Sequence, residues 1–261
     1  MGTSQSKPSA KGGSPLIPSW ADQDPPPPGS AAPPPPKNNE VLEPRRSSGV
    51  RRSLKRFYET GDRRYAKRAL GHFSRGAMGS GSAAGARMAR AARTGGAAIS
   101  ALSSAISGEG VSADGFDLGA LAGQPIGDAI GAIVDRFCPP GILDEDAIRA
   151  AISEALAEAF AGLDQFDPAA LDNHAILVAT RCFVTEMVFL AVTSEQGAAA
   201  STVPPQQAIQ RENELRDVIR EITDLQATPV LAQAGGALTD AQMETLIKSL
   251  ATTVMQEAAT W

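Results

Sequence analysis

Proline is crowded into the beginning of this chain, and that crowding separates a part that can fold from a part that cannot. Residues 1–44 contain twelve of the nineteen prolines, including the runs 25–28 and 33–36. Because proline lacks an amide donor and has a fixed φ, such runs adopt extended polyproline II conformations and act as semi-rigid spacers. The sequence therefore predicts a long disordered, proline-rich N-terminal tail over residues 1–46.

The sequence after the tail has the spacing of amphipathic helices. Apolar residues recur every three or four positions, and no run alternates as a half-buried strand would. The clearest patterns begin at Pro204-Pro205 and at Thr239-Asp240. We expect these residues to face the core: Ile209, Leu215, Ile219, Ile222, Leu225, Met243, Leu246, Ile247, Leu250, Val254 and Met255. The predicted fold class is all-α, with a helical domain after the disordered tail.

Residues that cap or break helices indicate where the elements begin. Ser53 can cap a first short helix, and Asp62 can cap a second one over residues 63–74. A longer helix is expected over residues 168–192, with a kink near Asp172.

Charge is also divided unevenly along the chain. Residues 45–93 carry fourteen Lys and Arg and two acids, whereas residues 94–261 carry seven basic and twenty-three acidic residues. We therefore divide the helical part into a basic, Gly/Ala-rich segment, 47–108, and an acidic all-α domain, 109–261.

The basic segment is a candidate contact surface. Its charges are interleaved with Phe57, Tyr58, Tyr65 and Phe73, a combination typical of proteins that bind nucleic acid through phosphate contacts. The same charges can dock on an acidic partner protein or on this chain's own acidic helices, or they can simply be solvated. The candidate contact residues are Arg51, Arg52, Arg63, Arg64, Lys67, Arg68, Arg87 and Arg90.

Side chains suited to catalysis are sparse. The only two histidines, His72 and His174, lie in no metal-binding pattern, and Cys138 and Cys182 form no CxxC pair. No glycine-rich loop has the lysine and the preceding strand of a phosphate loop. We expect a cytoplasmic protein that is not an enzyme and that holds no metal or cofactor.

Two segments are similar to membrane elements in composition only. The apolar stretch 175–192 is interrupted by Arg181 and Glu186, whose charges make a membrane span costly, so we expect a core helix. Glycines recur at a spacing of four over 115–131, which on a helix draws a stripe where another backbone can approach. We expect that stripe to be a packing surface between helices, divided into two short helices at Pro125.

The first residues offer a chemical group rather than a fold. Removal of Met1 exposes the amine of Gly2, which has no side chain beside it and can act as a nucleophile in a narrow enzyme pocket. Gly2 followed by Ser6 also fits the myristoylation pattern. Farther along, residues 15–20 form a short apolar island that can dock on a partner, or that is only a less polar part of the tail.

Three stretches, taken in order, resemble the QatB family of the bacterial Qat anti-phage defence systems. They are residues 1–6 (Met-Gly-Thr-Ser-Gln-Ser), residues 13–21 (Gly-Ser-Pro-Leu-Ile-Pro-Ser-Trp-Ala), and residues 60–73, which begin Thr-Gly-Asp-Arg-Arg-Tyr. We expect the likeness to be strongest over about residues 1–95, and the acidic helices to resemble the family only in character.

This resemblance implies an operon that also encodes an ATPase, an enzyme similar to the QueC family and a TatD-like nuclease. A QueC-like enzyme activates a deazaguanine carboxylate with ATP and joins it to an amine, and Gly2 would be that amine. The modifying enzyme would recognise Thr3, Ser4, Ser6, Leu16, Ile17 and Trp20. The helical body would dock to the ATPase or the nuclease, with self-association also possible. The alternative is an adaptor that binds nucleic acid through residues 45–93.

Overall fold

The described part of the chain is helical throughout. The computed structural model describes residues 47–77, 81–106, 115–139, 141, 145–233 and 238–261. Its helices are α1 (Ser48–Thr60), α2 (Arg63–His72), α3 (Gly81–Ile106), α4 (Ile126–Phe137), α5 (Glu145–Ala159), α6 (Asn173–Ser194), α7 (Pro205–Gln233) and α8 (Asp240–Ala259). No strand occurs in these ranges, so the all-α prediction is confirmed. The predicted tail, 1–46, lies outside them.

Short turns of other geometry connect several helices. A π-helical turn, Phe73–Ala77, follows α2 directly. Turns of 3-10 helix occupy Leu118–Leu121, Pro168–Ala170 and Ala200–Thr202. An isolated bridge between Pro125 and Gln165 ties the start of α4 to the loop after α5.

Local capping explains where several helices start. The Asp62 side chain accepts a hydrogen bond from the Arg64 amide at 2.9 Å, and α2 begins there as predicted. Thr239 and Gln242 form a reciprocal capping box at the start of α8. The Asp172 side chain accepts from the Ala175 amide, so α6 is a separate helix rather than the kinked continuation that was expected.

The first helix begins five residues before Ser53, the residue that was expected to cap it. α1 starts at Ser48, and Ser53 is buried inside it instead of standing at its end. Gly61 ends the helix with a left-handed φ of 71°, a conformation that glycine adopts without steric cost.

One hydrophobic core contains buried side chains from all eight helices. Helices α3 and α8 pack closely within it: a Cβ on Gly96 would lie 3.0 Å from the Glu244 amide nitrogen. The neighbouring Gly95 faces α6, where a Cβ would lie 2.6 Å from Cε2 of the buried Phe183 ring. These two glycines therefore allow α3 to pack closely against two helices at once.

The glycine series at 115–131 does not pack as predicted. Gly115 and Gly123 have left-handed φ values of 82° and 78° and stand in turns. Gly127 and Gly131 are on an exposed face of α4, and a Cβ on either would meet no atom of the described chain within 4 Å. The close approach between helices is at Gly95 and Gly96 instead.

The residues predicted to face the core are correct for α8 and partly wrong for α7. All six predicted α8 residues are buried, as are Leu215, Ile219 and Ile222 on α7. However, Ile209 is 59% exposed and Leu225 is 74% exposed. Helical periodicity defines the apolar faces, but it does not say which turns of a long helix a neighbour covers.

Helix α6 lies at the centre of the fold. It is long and apolar enough to cross a membrane by composition, and 67% of its most apolar window is buried inside the protein. Its neighbours α3, α5, α7 and α8 provide that cover.

The glycine geometry predicts opposite effects for two Gly→Ala substitutions. Gly95→Ala is expected to lower the free energy of unfolding by about 1–3 kcal/mol, because the new methyl group must displace the Phe183 ring. Gly131→Ala, the matched control, is expected to raise it by about 0.5–1 kcal/mol, because alanine favours a helix and the space is open. Urea denaturation measures both values, and a Gly95→Ala protein as stable as the parent would contradict the packing described here.

Candidate interaction surface

The predicted contact residues of the basic segment lie mainly on a hairpin of two helices. α1 and α2 are joined at Gly61 and Asp62 and pack against each other, α7 and α8. Arg51 and Arg52 are on α1, Arg63, Arg64, Lys67 and Arg68 are on α2, and Arg87 and Arg90 are on α3. The Arg87 side chain lies outside the described residues, as do the predicted tail positions Gly2, Thr3, Ser4, Ser6, Leu16, Ile17 and Trp20.

The aromatic residues of this hairpin are core residues. Phe57, Tyr58 and Phe73 are buried, and Tyr65 is partly buried with the Arg68 guanidinium 5.8 Å from its ring centroid. Buried rings cannot stack on nucleic-acid bases. The interleaving of aromatic and basic residues therefore reflects the amphipathic pattern of two helices, not a base-binding platform.

Several of the basic side chains pair with acids or backbone oxygens of this same chain. Arg63 meets Glu221 of α7 at 2.6 Å, and Arg93 meets Glu244 of α8 at 3.5 Å. Arg64 binds Asp62 at 2.7 Å. Part of the basic segment therefore lies against the acidic helices, which is one of the alternatives that the charge pattern left open. Exposed pairs of this kind contribute about 0–1 kcal/mol each.

Other basic side chains have no such partner in the described ranges. Arg52, Arg68 and Arg90 are exposed, and no described carboxylate forms an ion pair with any of them. The Lys67 ammonium lies 4.6 Å from the centroid of the Trp261 ring, a cation–π contact. The surface of the hairpin is thus divided into paired and unpaired cations.

A buried tyrosine joins the hairpin to the rest of the fold. The Tyr58 hydroxyl donates to Gln196 Oε1 at 2.8 Å, and Glu212 Oε1 lies 3.4 Å away. Burial raises the pKa of Tyr58, and the nearby Glu212 carboxylate raises it further. The hydroxyl is therefore held as a neutral donor. No local sequence signal identifies this contact, because its partners lie about 140 positions later.

Two clefts run along α7. The larger, about 560 Å³, is lined by Gly61, Arg63, Glu214, Asp217, Arg220, Glu221 and Asp224. The smaller, about 240 Å³, is lined by Glu158, Val178, Arg181, Cys182, Arg220 and Asp224. The two share Arg220 and Asp224, and both contain charges of either sign. Such clefts suit polar contacts with another macromolecule better than an apolar small molecule.

A buried ion pair lies between α6 and α7. Glu186 is 4% exposed, and its carboxylate is 3.1 Å from Arg216 Nε. The Arg216 guanidinium stacks over Phe189 with 3.9 Å between its Cζ and the ring centroid. Burial raises the pKa of Glu186, while Arg216 opposes that rise. Arg216 is therefore the main charge that opposes the effect of burial on this carboxylate.

The two cysteine thiols are buried. Burial raises the pKa of Cys182 and of Cys138, which disfavours the thiolate that thiol chemistry requires. Among the described residues, no group of three or more His, Cys, Asp or Glu side chains is placed to hold a metal ion. The features on these surfaces are suited to binding through charge.

A comparison with protein-family models identifies one match. The model described as "Qat anti-phage system associated protein QatB" matches residues 79–256. No curated protein and no solved structure matches the chain. The match runs from the start of α3 nearly to the end of α8, so the expectation that the likeness is strongest over residues 1–95 is wrong. The helical body carries the family pattern, and α1 and α2 lie outside the matched range.

The buried ion pair predicts a stability loss that depends on pH. Arg216→Met is expected to cost about 3 kcal/mol near neutral pH, because it leaves the Glu186 carboxylate charged, buried and unpaired. The pKa of Glu186 is then raised further above its unfolded value. For a raised pKa, the favourable contribution is present below the unfolded pKa and is lost as pH rises through the folded pKa. The cost should therefore shrink as the pH is lowered to about 4.

Thermal or urea denaturation across this pH range measures the effect. Glu186→Gln is the matched control: its amide does not titrate, so the difference between Glu186→Gln and the double variant Glu186→Gln/Arg216→Met should not vary with pH. An Arg216→Met cost that is the same at pH 4 and pH 8 would contradict the assignment.

Proposed function

The chain belongs to the QatB family of Qat anti-phage system proteins, and we propose that in such a system it is a protein substrate rather than a catalyst. Family membership makes it a component of an anti-phage defence system. The proposal concerns its role there: Gly2, exposed by removal of Met1, accepts a covalent modification from a QueC-like partner enzyme. It acts in the cytoplasm and needs no cofactor of its own.

The chemistry requires little of this chain beyond its terminus. The partner converts a deazaguanine carboxylate and ATP into an acyl adenylate and pyrophosphate. The Gly2 amine then attacks the acyl carbon, an amide bond forms, AMP leaves and the amine loses a proton. An unhindered amine with small neighbours suits such an attack, and Thr3, Ser4 and Ser6 are small.

The distance between the terminus and the helices also supports the proposal. Forty-four residues separate Gly2 from Ser47, where the described chain begins, and proline-rich segments act as extended spacers. A partner enzyme that recognises Gly2 and its neighbours in sequence therefore needs only residues that precede the helices. The island containing Leu16, Ile17 and Trp20 provides apolar side chains that such an enzyme can bind.

The helical body has the complementary role of holding the assembly together. It docks to the operon ATPase or to the TatD-like nuclease, or pairs with a second copy of the chain. Two observations support this role: the charged clefts along α7, and the exposed side chains of Ile209 and Leu225 on the same helix. Polar clefts beside exposed apolar side chains are common in interfaces between proteins.

Mass spectrometry of the N-terminal peptide tests the modification. In cells that carry the whole operon, the peptide beginning at Gly2 is expected to show a mass increment that disappears when the QueC-like gene is deleted. Gly2→Val is expected to abolish the increment, because a branched side chain obstructs the amine. Gly12→Val, in the same tail, is the matched control and should leave it in place. An unmodified Gly2 amine with all neighbouring genes present would reject the proposal.

A further inference from the structure

Four side chains form a positively charged cluster where the start of α1 meets the end of α2. They are Arg52, Arg68, His72 and Arg75, and all four are exposed. We call this group the His72 cluster. No described carboxylate forms an ion pair with any of its arginines.

Helix geometry brings these side chains together. A Cβ on Gly49 would lie 2.9 Å from His72 Cγ, so the imidazole rests directly on the first turn of α1. Arg52 is three residues after Gly49, and Arg68 is four residues before His72. Residues at these spacings share a helix face, so the two arginines approach the ring from opposite helices.

Arg75 completes the cluster from the π-helical turn. Its Nη1 donates to the Ala259 carbonyl, and its Nη2 would lie 3.0 Å from a Cβ on Gly71. This contact with the end of α8 holds the guanidinium beside Gly71, the residue before His72. Turns of π-helix are rare and are frequently found at functional sites.

The charges of the three guanidiniums act on the His72 ring. Partial burial lowers the pKa of His72, and Arg75, Arg52 and Arg68 lower it further in that order. No acidic side chain in the described residues forms an ion pair with any of the three, although the charge of Arg68 also lowers the pKa of Asp62. The fold therefore places three like charges where they disfavour the charged form of the imidazole, although like charges repel.

The other arginines of the same hairpin provide a contrast. Arg63 has Glu221 and Arg64 has Asp62, so each of these guanidiniums already binds one carboxylate of the chain. The three arginines of the His72 cluster, by contrast, form no ion pair with an acidic side chain in the described residues. A group of this kind is suited to an anion whose oxygens several donors can share.

We propose that the His72 cluster binds the phosphate backbone of a nucleic acid without reading its base sequence. A phosphate offers oxygens to several guanidiniums at once, and a strand presents one phosphate after another along its length. The neighbouring rings of Phe57, Tyr58 and Phe73 are buried, so base stacking does not contribute. This inference goes beyond the proposed function and does not depend on Gly2.

Binding of a labelled duplex to the full chain, followed by fluorescence anisotropy at several salt concentrations, tests the proposal. Contact between three guanidiniums and the backbone predicts that log K falls against log salt with a slope of about −2 to −3. Arg52→Gln/Arg68→Gln is expected to weaken binding about tenfold and to reduce the slope by about 2. Arg63→Gln/Arg64→Gln is the matched control, because it removes the same charge from two arginines that already pair with carboxylates of this chain. It should change the affinity less than about threefold.

The two histidines of the chain allow a second measurement that does not depend on a variant. A phosphate in the cluster offsets the three guanidiniums, so the NMR-monitored pKa of His72 should rise when the duplex is added, whereas His174 serves as the internal reference. Equal affinity for duplexes of different sequence is expected.

Any of the following results overturns the proposal. No binding, or binding that the paired-arginine control lowers as much as Arg52→Gln/Arg68→Gln does, would remove the cluster as the site. Inorganic triphosphate that competes as well as the duplex would assign it to a small polyphosphate. A poly-glutamate peptide that binds as tightly, with the same rise in the His72 pKa, would assign it to an acidic protein partner.

Discussion

The close approach of α3 to α8 is the contact on which the rest of the described fold depends. Gly96 lets the α8 backbone come against α3, and Gly95 leaves room for the Phe183 ring of α6. With these three helices in contact, α5 and α7 cover the remaining faces of α6. The hairpin of α1 and α2 is then attached to the end of α8, where the Ser74 hydroxyl donates to the Met255 carbonyl at 2.6 Å. The position of the basic surface thus depends on Gly95 and Gly96, which place no side chain between the packed helices.

Local sequence signals were sufficient for part of this architecture. Asp62 and Thr239 start helices because a side-chain acceptor satisfies amides that the first turn leaves free, and this chemistry needs only neighbours in sequence. The evenly spaced glycines at 115–131 were misleading, because spacing alone does not distinguish a packing stripe from glycines that stand in turns or on an exposed helix face. The pair at 95–96 was missed because, in an alanine-rich helix, glycine indicates low helix propensity before it indicates a close contact.

The candidate surface could be predicted in outline and not in detail. Helical periodicity places the arginines of α1 and α2 on the outside. It does not show that Arg63 pairs with Glu221 whereas Arg68 forms no ion pair with a described acid. Glu221 lies more than a hundred positions after Arg63, and the two meet only after folding. Part of the positive charge of the basic segment is neutralised in this way, because some of its arginines pair with acids on α7 and α8. What remains unpaired is a property of the tertiary structure.

The hairpin of α1 and α2 also shows that the range matched by the family model and the folding unit of this protein have different lengths. The family pattern covers residues 79–256, yet Leu54, Phe57 and Leu70 of the hairpin are buried in the same core as the matched helices. A fragment reduced to the matched residues would keep the pattern that identifies the family and would expose apolar side chains that the hairpin now covers.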